Sequence, residues 1–476
     1  LSLSPSVPAR AYLSDPCRGP PLPYITLAAN TAKLRGVHHA CGARPYRRRP
    51  NPARTPQTRV HRALPARMSD RTNQTARGTL ACSIVYKCEL IYRLRKPSTM
   101  SRILLSGGQV YDPASKTFSR ADVAISDGLV EAIGTDLEVS DEHIDAAGQY
   151  IAPGFIDMHC HVFNHPLFQT SRLEADRIGV RQGVACVVDT GSAGPTTIDA
   201  FETFVRDTQH THAYALCNIG TPGLPGIDGG HASRPELVSL SGTVKAIERH
   251  PDWILGVKVL ASSSHTGGLG IEAVRIGRKA AALTGKPLMV HIGNAPPVIE
   301  EILELLRPGD IVTHSYHGKV GGVLGYGGTV IPEFRDAVDR GVIVDIAHGR
   351  SSFSFDTCAA ALDQGMPVHT ISSDLHGGNL NRYVVSLART MSKFRLLGLS
   401  LEDTVYAVTC KPAATLAIPN QGTLEVGQPA NLTVFAETDR AVEVEDAEGV
   451  VRTTSAWIEP HLTIVNGQVH SVSETL

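Results

Sequence analysis

The sequence has 476 residues, of which 45 are Lys or Arg and 46 are Asp or Glu, so the formal net charge is −1. This length is enough for two or three domains, or for one barrel of roughly 250 residues with attachments. No apolar run approaches the roughly 18 residues of a membrane helix, and we expect neither a membrane nor a nucleic acid as a partner. Nine cysteines, an odd number without repeated spacing, indicate reduced thiols in a cytoplasmic protein rather than a disulfide framework.

Residues 1–99 differ from the rest in composition, with 18 basic and 3 acidic residues and many Ser, Thr and Pro. Such a segment buries too little apolar area to offset its ordering entropy, so we expect disorder. Three interpretations compete: an organelle transit peptide, which would begin with Met, a nucleic-acid-binding arm, and upstream sequence translated in frame. The third fits best and predicts a non-native extension, with the functional start at Met100 or Met68.

Short strands separated by turn residues follow Met100 and recur near the C-terminus. Residues 100–149 contain apolar runs split by Gly-Gly and Asp-Pro turns. A β unit this small needs a partner sheet, and residues 421–476 contain runs of the same kind. We therefore expect the two segments to form the halves of one small β-sandwich domain, with the middle of the chain inserted between them.

Eight apolar runs alternate with helical stretches between residues 150 and 420, which is typical of βα units with a parallel sheet. Eight such units favour a (β/α)8 TIM barrel, an α/β fold, over an open doubly wound sheet. In a barrel, functional residues lie at the carboxyl ends of the strands. The runs are 154–157, 185–189, 213–216, 256–260, 287–290, 310–313, 342–346 and 368–371.

The first run ends in His159-Cys160-His161. Because side chains alternate along a strand, both imidazoles point to one face and Cys160 points to the other. Two imidazoles on one side of a strand end can bind one metal ion. An isolated His-x-His is also common as a pair of surface or core histidines, so the other strand ends decide between these interpretations.

Further metal-binding side chains follow other runs. His291 follows the fifth run, His314 the sixth and Asp374 the eighth, while Lys258 lies within the fourth. Each residue alone has an ordinary structural explanation, such as a hydrogen-bonded core histidine or a helix cap. Because six potential ligands converge on one mouth of the predicted barrel, a metal site is the better interpretation.

Lys258 is unusual because an ammonium group inside a barrel is costly and burial lowers its pKa. A neutral amine can react with carbon dioxide to give a carbamate, whose two oxygens can bridge two cations. Paired cations of this kind share a hydroxide that is nucleophilic at physiological pH. Asp374 is then placed to bind one metal and to act as general acid and base.

The ordered set of motifs resembles the amidohydrolase superfamily of metal-dependent hydrolases over about 370 residues from Met100. The motif Lys-Pro-Ala-Ala at 411–414 and a Gly-x-Leu-x-x-Gly-x-x-Ala-Asn-Leu pattern ending at Leu432 belong to the same resemblance. The other matching segments are Pro-Gly-Phe-Ile-Asp-Met-His-Cys-His (153–161), Gly-Val-Lys-Val (256–259), Val-His-Ile-Gly (290–293), Thr-His-Ser-Tyr-His-Gly (313–318) and Ser-Ser-Asp (372–374).

The resemblance implies a binuclear zinc site. His159, His161 and Asp374 would hold the more buried ion, and His291 and His314 the second. Lys258, carboxylated on its side-chain nitrogen, would bridge the two.

The segments 290–297 and 345–349 look most like the amidohydrolase/deacetylase group near dihydroorotases. The resemblance implies a deacetylase-like hydrolase that cleaves an amide or ester bond of a small molecule with a metal-bridged hydroxide. A dihydroorotase- or hydantoinase-like cyclic amidohydrolase is one alternative, although Phe163 replaces the Arg of the dihydroorotase pattern. A mononuclear adenine-type deaminase is another, although such enzymes commonly lack the bridging Lys, and a catalytically inactive binding protein is a third.

Five residues follow strand ends in loops and are candidates for contact with the substrate. Tyr316 or His348 could polarise the scissile carbonyl, and Arg350 could pair with a substrate carboxylate. His231 and His265 lie in Gly-rich loops and are expected in a lid rather than as ligands. A homo-oligomer is compatible with this interpretation. The five candidates are Asn294, Tyr316, His317, His348 and Arg350.

Overall fold

The computed structural model describes residues 102–138, 141–164, 173–224 and 231–473. The expectations for residues 1–99 lie outside the described residues. In the described ranges, none of the helices has the length and apolar character needed to cross a membrane.

A first group of strands follows the start of the described chain. β1 pairs with β2 antiparallel and with β4 and β5 parallel, and a β-bulge lies between Leu105 and Gly108 of β1. Gly107 adopts a left-handed φ of +72° at this irregularity, where glycine carries no steric cost. The strands are β1 (Ile103–Asp112), β2 (Thr117–Ser126), β3 (Leu129–Gly134), β4 (Glu142–Asp145) and β5 (Tyr150–Pro153).

Seven parallel strands form the central sheet, in the spatial order β12-β11-β10-β9-β8-β7-β6. Their residues are almost all buried because helices cover one face and packed side chains the other, which explains continuous apolar runs instead of alternation. The strands are β6 (Phe155–Cys160), β7 (Val184–Thr190), β8 (His212–Asn218), β9 (Ile254–Ala261), β10 (Leu288–Ile292), β11 (Ile311–Thr313) and β12 (Ile343–Asp345). Seven of the eight predicted runs therefore coincide with parallel strands.

The eighth run forms no regular strand. Residues 370–375 instead make isolated parallel bridges with both edge strands, Asp345 with Thr370 on one side and Cys160 with Leu375 on the other. The backbone of Asp374 is left-handed, with a φ of +53°, which interrupts extended geometry. The prediction of a strand at 368–371 is therefore wrong in detail, although the segment hydrogen-bonds between β12 and β6.

Helices connect the parallel strands and begin at recognisable caps. The side chains of Ser239, Ser354, Ser386 and Ser400 each accept a hydrogen bond from an amide in the first helical turn. The helices are α1 (Ala175–Ile178), α2 (Asp199–Phe201), α3 (Leu240–Arg249), α4 (Ser263–Thr266), α5 (Ile271–Thr284), α6 (Ile299–Leu305), α7 (Pro332–Asp339), α8 (Phe355–Asp363), α9 (Leu387–Leu396), α10 (Leu401–Tyr406) and α11 (Cys410–Leu416).

The last strands return to the first group. β13 pairs antiparallel with β5, so segments from both ends of the described chain join one eight-stranded sheet. The order of its strands is β17-β16-β13-β5-β1-β2-β3, and β4 pairs with β1. This contribution from both ends agrees with the prediction, although the hydrogen bonds form one continuous sheet rather than two. β14 and β15 form a separate hairpin. The strands are β13 (Leu432–Thr438), β14 (Val442–Glu445), β15 (Val451–Thr454), β16 (Trp457–Val465) and β17 (Gln468–Ser471).

The described chain is therefore an α/β protein with a curled parallel sheet and a second, mixed sheet. A large apolar cluster lies between the parallel sheet and its helices. A smaller cluster, which includes Ile103, Val123 and Leu432, fills the mixed sheet. The carboxyl ends of the parallel strands meet at one side of the curled sheet, where functional side chains are expected.

Candidate active site

One cavity of about 520 Å³ opens at the carboxyl ends of the parallel strands. It contains all six side chains that the sequence singled out as metal ligands. β6 and the residue after it supply two of them, and β9 and β10 supply one each. The fifth lies in the loop after β11, and the sixth in the segment 370–375 that bridges β12 and β6. The six are His159, His161, Lys258, His291, His314 and Asp374.

Three of these side chains form a compact group. The potential ligand atoms of His159, His161 and Asp374 all lie within 4.8 Å of one another. Asp374 Oδ1 is 3.2 Å from His161 Nε2 and 3.8 Å from His159 Nε2. Two imidazole nitrogens and a carboxylate are ligands that Zn²⁺ accepts, so the donor set fits a divalent metal.

Hydrogen bonds hold the first histidine in one tautomer. Thr313 Oγ1 donates its only hydrogen to Asp345 Oδ2 at 2.7 Å, so it must accept from His159 Nδ1, which lies 2.9 Å away. The lone pair of His159 is therefore on Nε2, the atom that faces Asp374. Such fixed outer hydrogen bonds are usual for histidines that bind metals.

The other histidines are oriented in the same manner. His161 Nδ1 lies 2.8 Å from Ser192 Oγ, and His314 Nδ1 donates to the carbonyl of Ala347 at 2.7 Å. The rings of His291 and His314 are 4.4 Å apart. Burial lowers the pKa of His314 to about 4 and that of His291 well below its ordinary value. Both rings are therefore neutral, the form that binds metals.

Lys258 is 1 % exposed and points into the same group. Its Nζ lies 3.0 Å from His159 Nε2 and donates to Met289 Sδ at 3.6 Å. Burial lowers the pKa of Lys258 to about 7, against the opposing attraction of Asp374 and Asp345. A substantial fraction of this lysine is thus a neutral amine at physiological pH.

The backbone leaves room for Lys258 and Asp374. Gly191 has a φ of +86°, and a Cβ at this position would lie 2.8 Å from Lys258 Cγ. Gly349 has a φ of +58°, and a Cβ there would lie 2.5 Å from Asp374 Oδ2. Both glycines are therefore required by a left-handed backbone and by a close approach to a functional side chain.

Asp374 is ionised in this environment. Burial would raise the pKa of Asp374, but the hydrogen bond from His161 opposes burial, and this pKa lies well below its usual range. The amide of Asp374 donates to the carbonyl of His159 at 2.6 Å. The carboxylate is thus held against the end of β6.

Three buried carboxylates support the site and were not predicted as functional. Asp345 accepts hydrogen bonds from three hydroxyls, Asp157 accepts from the amide and hydroxyl of Ser373, and Asp189 accepts from the amide of Ser192. Burial raises the pKa of Asp157 to about 7. The signal in the sequence was an aspartate within or at the end of an otherwise apolar run.

Of the five substrate candidates, Arg350 lines the cavity. Asn294 is exposed in the loop after β10 and is not among the residues that line the cavity. Its backbone carbonyl accepts a hydrogen bond from the amide of Ser263. His265 and His376 do line the cavity. The sequence placed His265 in a lid and did not select His376.

The remaining three candidates are buried and are not among the residues that line the cavity, so contact with substrate stays a prediction for them. Tyr316 is fully buried, and its hydroxyl donates to the carbonyl of Pro367 at 2.6 Å. His317 is 1 % exposed and accepts from the amide of Lys319. His348 is fully buried too, and its Nε2 lies 2.7 Å from Lys393 Nζ.

No family model matches the chain. A deacetylase of Agrobacterium fabrum, named Atu3266, is 33% identical over 363 residues, which cover 75% of this chain and 88% of that protein. A crystal structure of an adenine deaminase matches with a TM-score of 0.73 and 31% identity, covering 78% of this chain and 99% of the other. A crystal structure of a dihydroorotase matches with a TM-score of 0.72 and 32% identity, covering 79% and 99%. These similarities confirm the resemblance seen in the motifs: the chain belongs to the amidohydrolase superfamily.

Proposed function

We propose that this protein is a metal-dependent hydrolase that removes an acyl group, such as acetyl, from a small amide or ester. The observation that carries the proposal is the group of His159, His161 and Asp374, with the Lys258 amine beside it in one cavity. Similarity to a protein named deacetylase at 33% identity supports the type of bond.

The proposal includes the fold and the domain limits expected from the sequence. The parallel sheet, together with residues 370–375, would be a (β/α)8 barrel over 150–420. The bridges of these residues to β6 and β12 support this interpretation. Segments 100–149 and 421–476 would form the halves of a small β-sandwich domain.

We assign two zinc ions to the site. His159, His161 and Asp374 would hold the first, His291 and His314 the second, and carboxylated Lys258 would bridge them. Bound ions of this kind act as Lewis acids that lower the pKa of water and polarise a carbonyl. The neutral imidazoles and the partly neutral amine of Lys258 support this assignment.

The chain's own residues supply proton transfer and substrate binding. Asp374, held as a carboxylate, accepts the proton of the attacking water and delivers it to the leaving nitrogen or oxygen. Arg350, an exposed side chain at the cavity, pairs with a carboxylate of the substrate in bidentate fashion. A cavity of about 520 Å³ admits a compound of the size of an acylated amino acid.

A cyclic amidohydrolase is the second candidate, because a solved dihydroorotase shares the fold at 32% identity. The position that carries Arg in the dihydroorotase pattern holds Phe163, which is 1 % exposed and packs against Phe201 with ring centres 5.7 Å apart. No cation is therefore available at this position for a ring carboxylate. This observation favours acyl removal over pyrimidine chemistry.

The five cysteines in the described part of the chain are all unpaired. Free thiols persist in reducing compartments. These thiols support a cytoplasmic location as part of the proposal.

A substrate screen tests the proposed reaction. The zinc-loaded protein is incubated with both enantiomers of N-acetyl amino acids and O-acetyl hydroxy acids, beside dihydroorotate, hydantoin and adenine. We expect release of acetate from at least one acetylated acid. Opening of a ring, or release of ammonia from adenine, without any acetate would contradict the proposal.

Substitution Lys258→Ala separates a binuclear enzyme from a mononuclear deaminase. A binuclear enzyme should lose most activity and recover part of it with short carboxylic acids, which replace the carbamate. A deaminase should retain most of its activity.

A further inference from the structure

A second buried lysine lies outside the proposed metal site. Lys393 in α9 is fully buried, and its Nζ has three acceptors. They are His348 Nε2 at 2.7 Å, the carbonyl of Tyr383 at 2.5 Å and the carbonyl of Glu445 at 2.8 Å. An ammonium group has three N–H bonds, so each hydrogen has a partner.

The protonated form fits this geometry. Burial lowers the pKa of Lys393, but a neutral amine would have only two N–H bonds for three acceptors. His348 cannot supply the missing hydrogen from Nε2, because its Nδ1 carries the hydrogen that is donated to the carbonyl of Gly349 at 2.9 Å. Lys393 therefore donates to His348 and fixes its tautomer.

Lys393 connects three segments that are distant in the sequence. His348 lies in the loop after β12, Tyr383 in the loop that follows Asp374, and Glu445 at the end of β14. Ion pairing of Arg382 with Glu445 at 2.7 Å strengthens the same junction. The first two segments belong to loops that line the cavity, through Arg350 and through His376 to Gly378.

The loop held by His348 touches the proposed catalytic groups directly. The carbonyl of Ala347 accepts from His314 Nδ1 at 2.7 Å, and Gly349 packs against the carboxylate of Asp374. The amides of His348 and Gly349 donate to the carbonyls of Ser372 and Ser373. A shift of this loop would therefore move a metal ligand and the proton-transfer group together.

We infer that Lys393 is a positioning residue for hydrolysis: through His348 it holds the 347–350 loop against His314 and Asp374. A lysine that only filled this space could be replaced by methionine, which has similar length without the cost of burying a charge. The inference rests on the proposed function, because it assigns Lys393 to the same hydrolytic site.

The first experiment uses Lys393→Met, His348→Phe and the double variant, with Lys279→Met on the exposed face of α5 as the matched control. Kinetics are measured with the best substrate of the screen, and kcat is expressed per folded, zinc-loaded molecule. We expect kcat to fall about 10- to 100-fold in each single variant, the range for outer hydrogen-bond partners of metal sites, with a smaller change in KM.

The double variant should lose no more than either single variant, since both remove the same hydrogen bond. Independent, multiplicative losses would overturn the coupling between Lys393 and His348. A purely structural role predicts less folded protein but an unchanged kcat per folded molecule, and this result would overturn the inference.

The second experiment needs no substrate and so separates this inference from the proposed function. Hydrogen exchange is compared between the full wild-type chain and Lys393→Met, well below the melting temperature. We expect faster exchange at the amides of His348 and Gly349 and in the 376–386 loop, with α3 unchanged. Unchanged exchange in both loops, or a uniform increase through the protein, would overturn the inference even if acetate release is confirmed.

Discussion

Substitution Thr313→Val tests whether the outer hydrogen bonds prepare the site for metal. Valine has nearly the shape of threonine but cannot accept from His159 Nδ1 or donate to Asp345 Oδ2, which lie 2.9 and 2.7 Å from the hydroxyl. The buried imidazole would lose its acceptor at 2.9 Å, while Asp345 Oδ2 lies 3.5 Å from Nδ1. The imidazole would then be free to change its tautomer or its orientation.

The expected magnitude follows from these contacts. Loss of an outer partner of a metal-binding histidine weakens metal affinity about 10- to 100-fold, or about 1.4 to 2.7 kcal/mol. Leaving a buried donor without a partner also costs about 1–3 kcal/mol in the free energy of unfolding of the metal-free protein. The effect on affinity is the specific one, since the effect on stability accompanies the loss of any buried hydrogen bond.

The assay is competition for zinc between the protein and a chromogenic chelator at constant pH, together with urea unfolding. Thr404→Val is the matched control, because Thr404 is equally buried and its hydroxyl donates to the carbonyl of Ser400 at 2.8 Å, within α10 and its cap. The control should lose stability without losing zinc affinity. Zinc affinity of Thr313→Val within twofold of the wild-type value would refute the reasoning.

Three further predictions concern the site itself. Cys160→Ala should retain the zinc content of the wild type within error, since the thiol faces away and donates to the carbonyl of Val188. His161→Ala should lose at least half of the bound zinc. Equal zinc contents in the two variants would contradict the ligand assignment. Gly349→Ala should lower kcat more than tenfold, because the added Cβ would lie 2.5 Å from Asp374 Oδ2 at a backbone φ of +58°. If this variant kept the kinetics of the wild type, the Asp374 carboxylate would take no part in catalysis. Arg350→Met should raise KM for acetylated acids by about 10-fold or more, as expected for loss of a charge-assisted hydrogen bond. KM for the matching amides, which lack the carboxylate, should not change. An equal change in KM for both kinds of substrate would exclude a substrate carboxylate as the partner of Arg350.

The convergence of the six candidate ligands on one cavity was predictable because its signals are local. Strand alternation places His159 and His161 on one face, and the carboxyl ends of parallel strands share one side of the sheet. A lysine within an apolar run, as at Lys258, is anomalous enough to be noticed without a structure. These rules depend on spacing and strand direction, and the cavity indeed contains all six residues that they selected.

The loop residues could not be predicted in the same way. Tyr316 and His348 follow strand ends, but in loops the direction of a side chain depends on its tertiary partners, here the Pro367 carbonyl and Lys393. The strand expected at 368–371 failed for a related reason. The segment 370–375 bridges two edge strands, one of which, β6, lies more than 200 residues earlier in the sequence, and the left-handed Asp374 interrupts its extended backbone.

Lys393 was also invisible in the sequence, because a lysine in the last turn of an amphipathic helix is ordinarily exposed. Its burial depends on acceptors from three separate segments. Only the folded structure brings these acceptors together.

The most direct test of the central claim is the metal content of the purified full chain, measured by elemental analysis alongside acetate release. We predict between one and two zinc ions per chain, loss of activity on chelation, and recovery on addition of Zn(II) with bicarbonate, which supplies the carbon dioxide for Lys258. Fewer than one zinc ion per chain, with no activation by Zn(II) and bicarbonate, would contradict the assignment of a binuclear hydrolase.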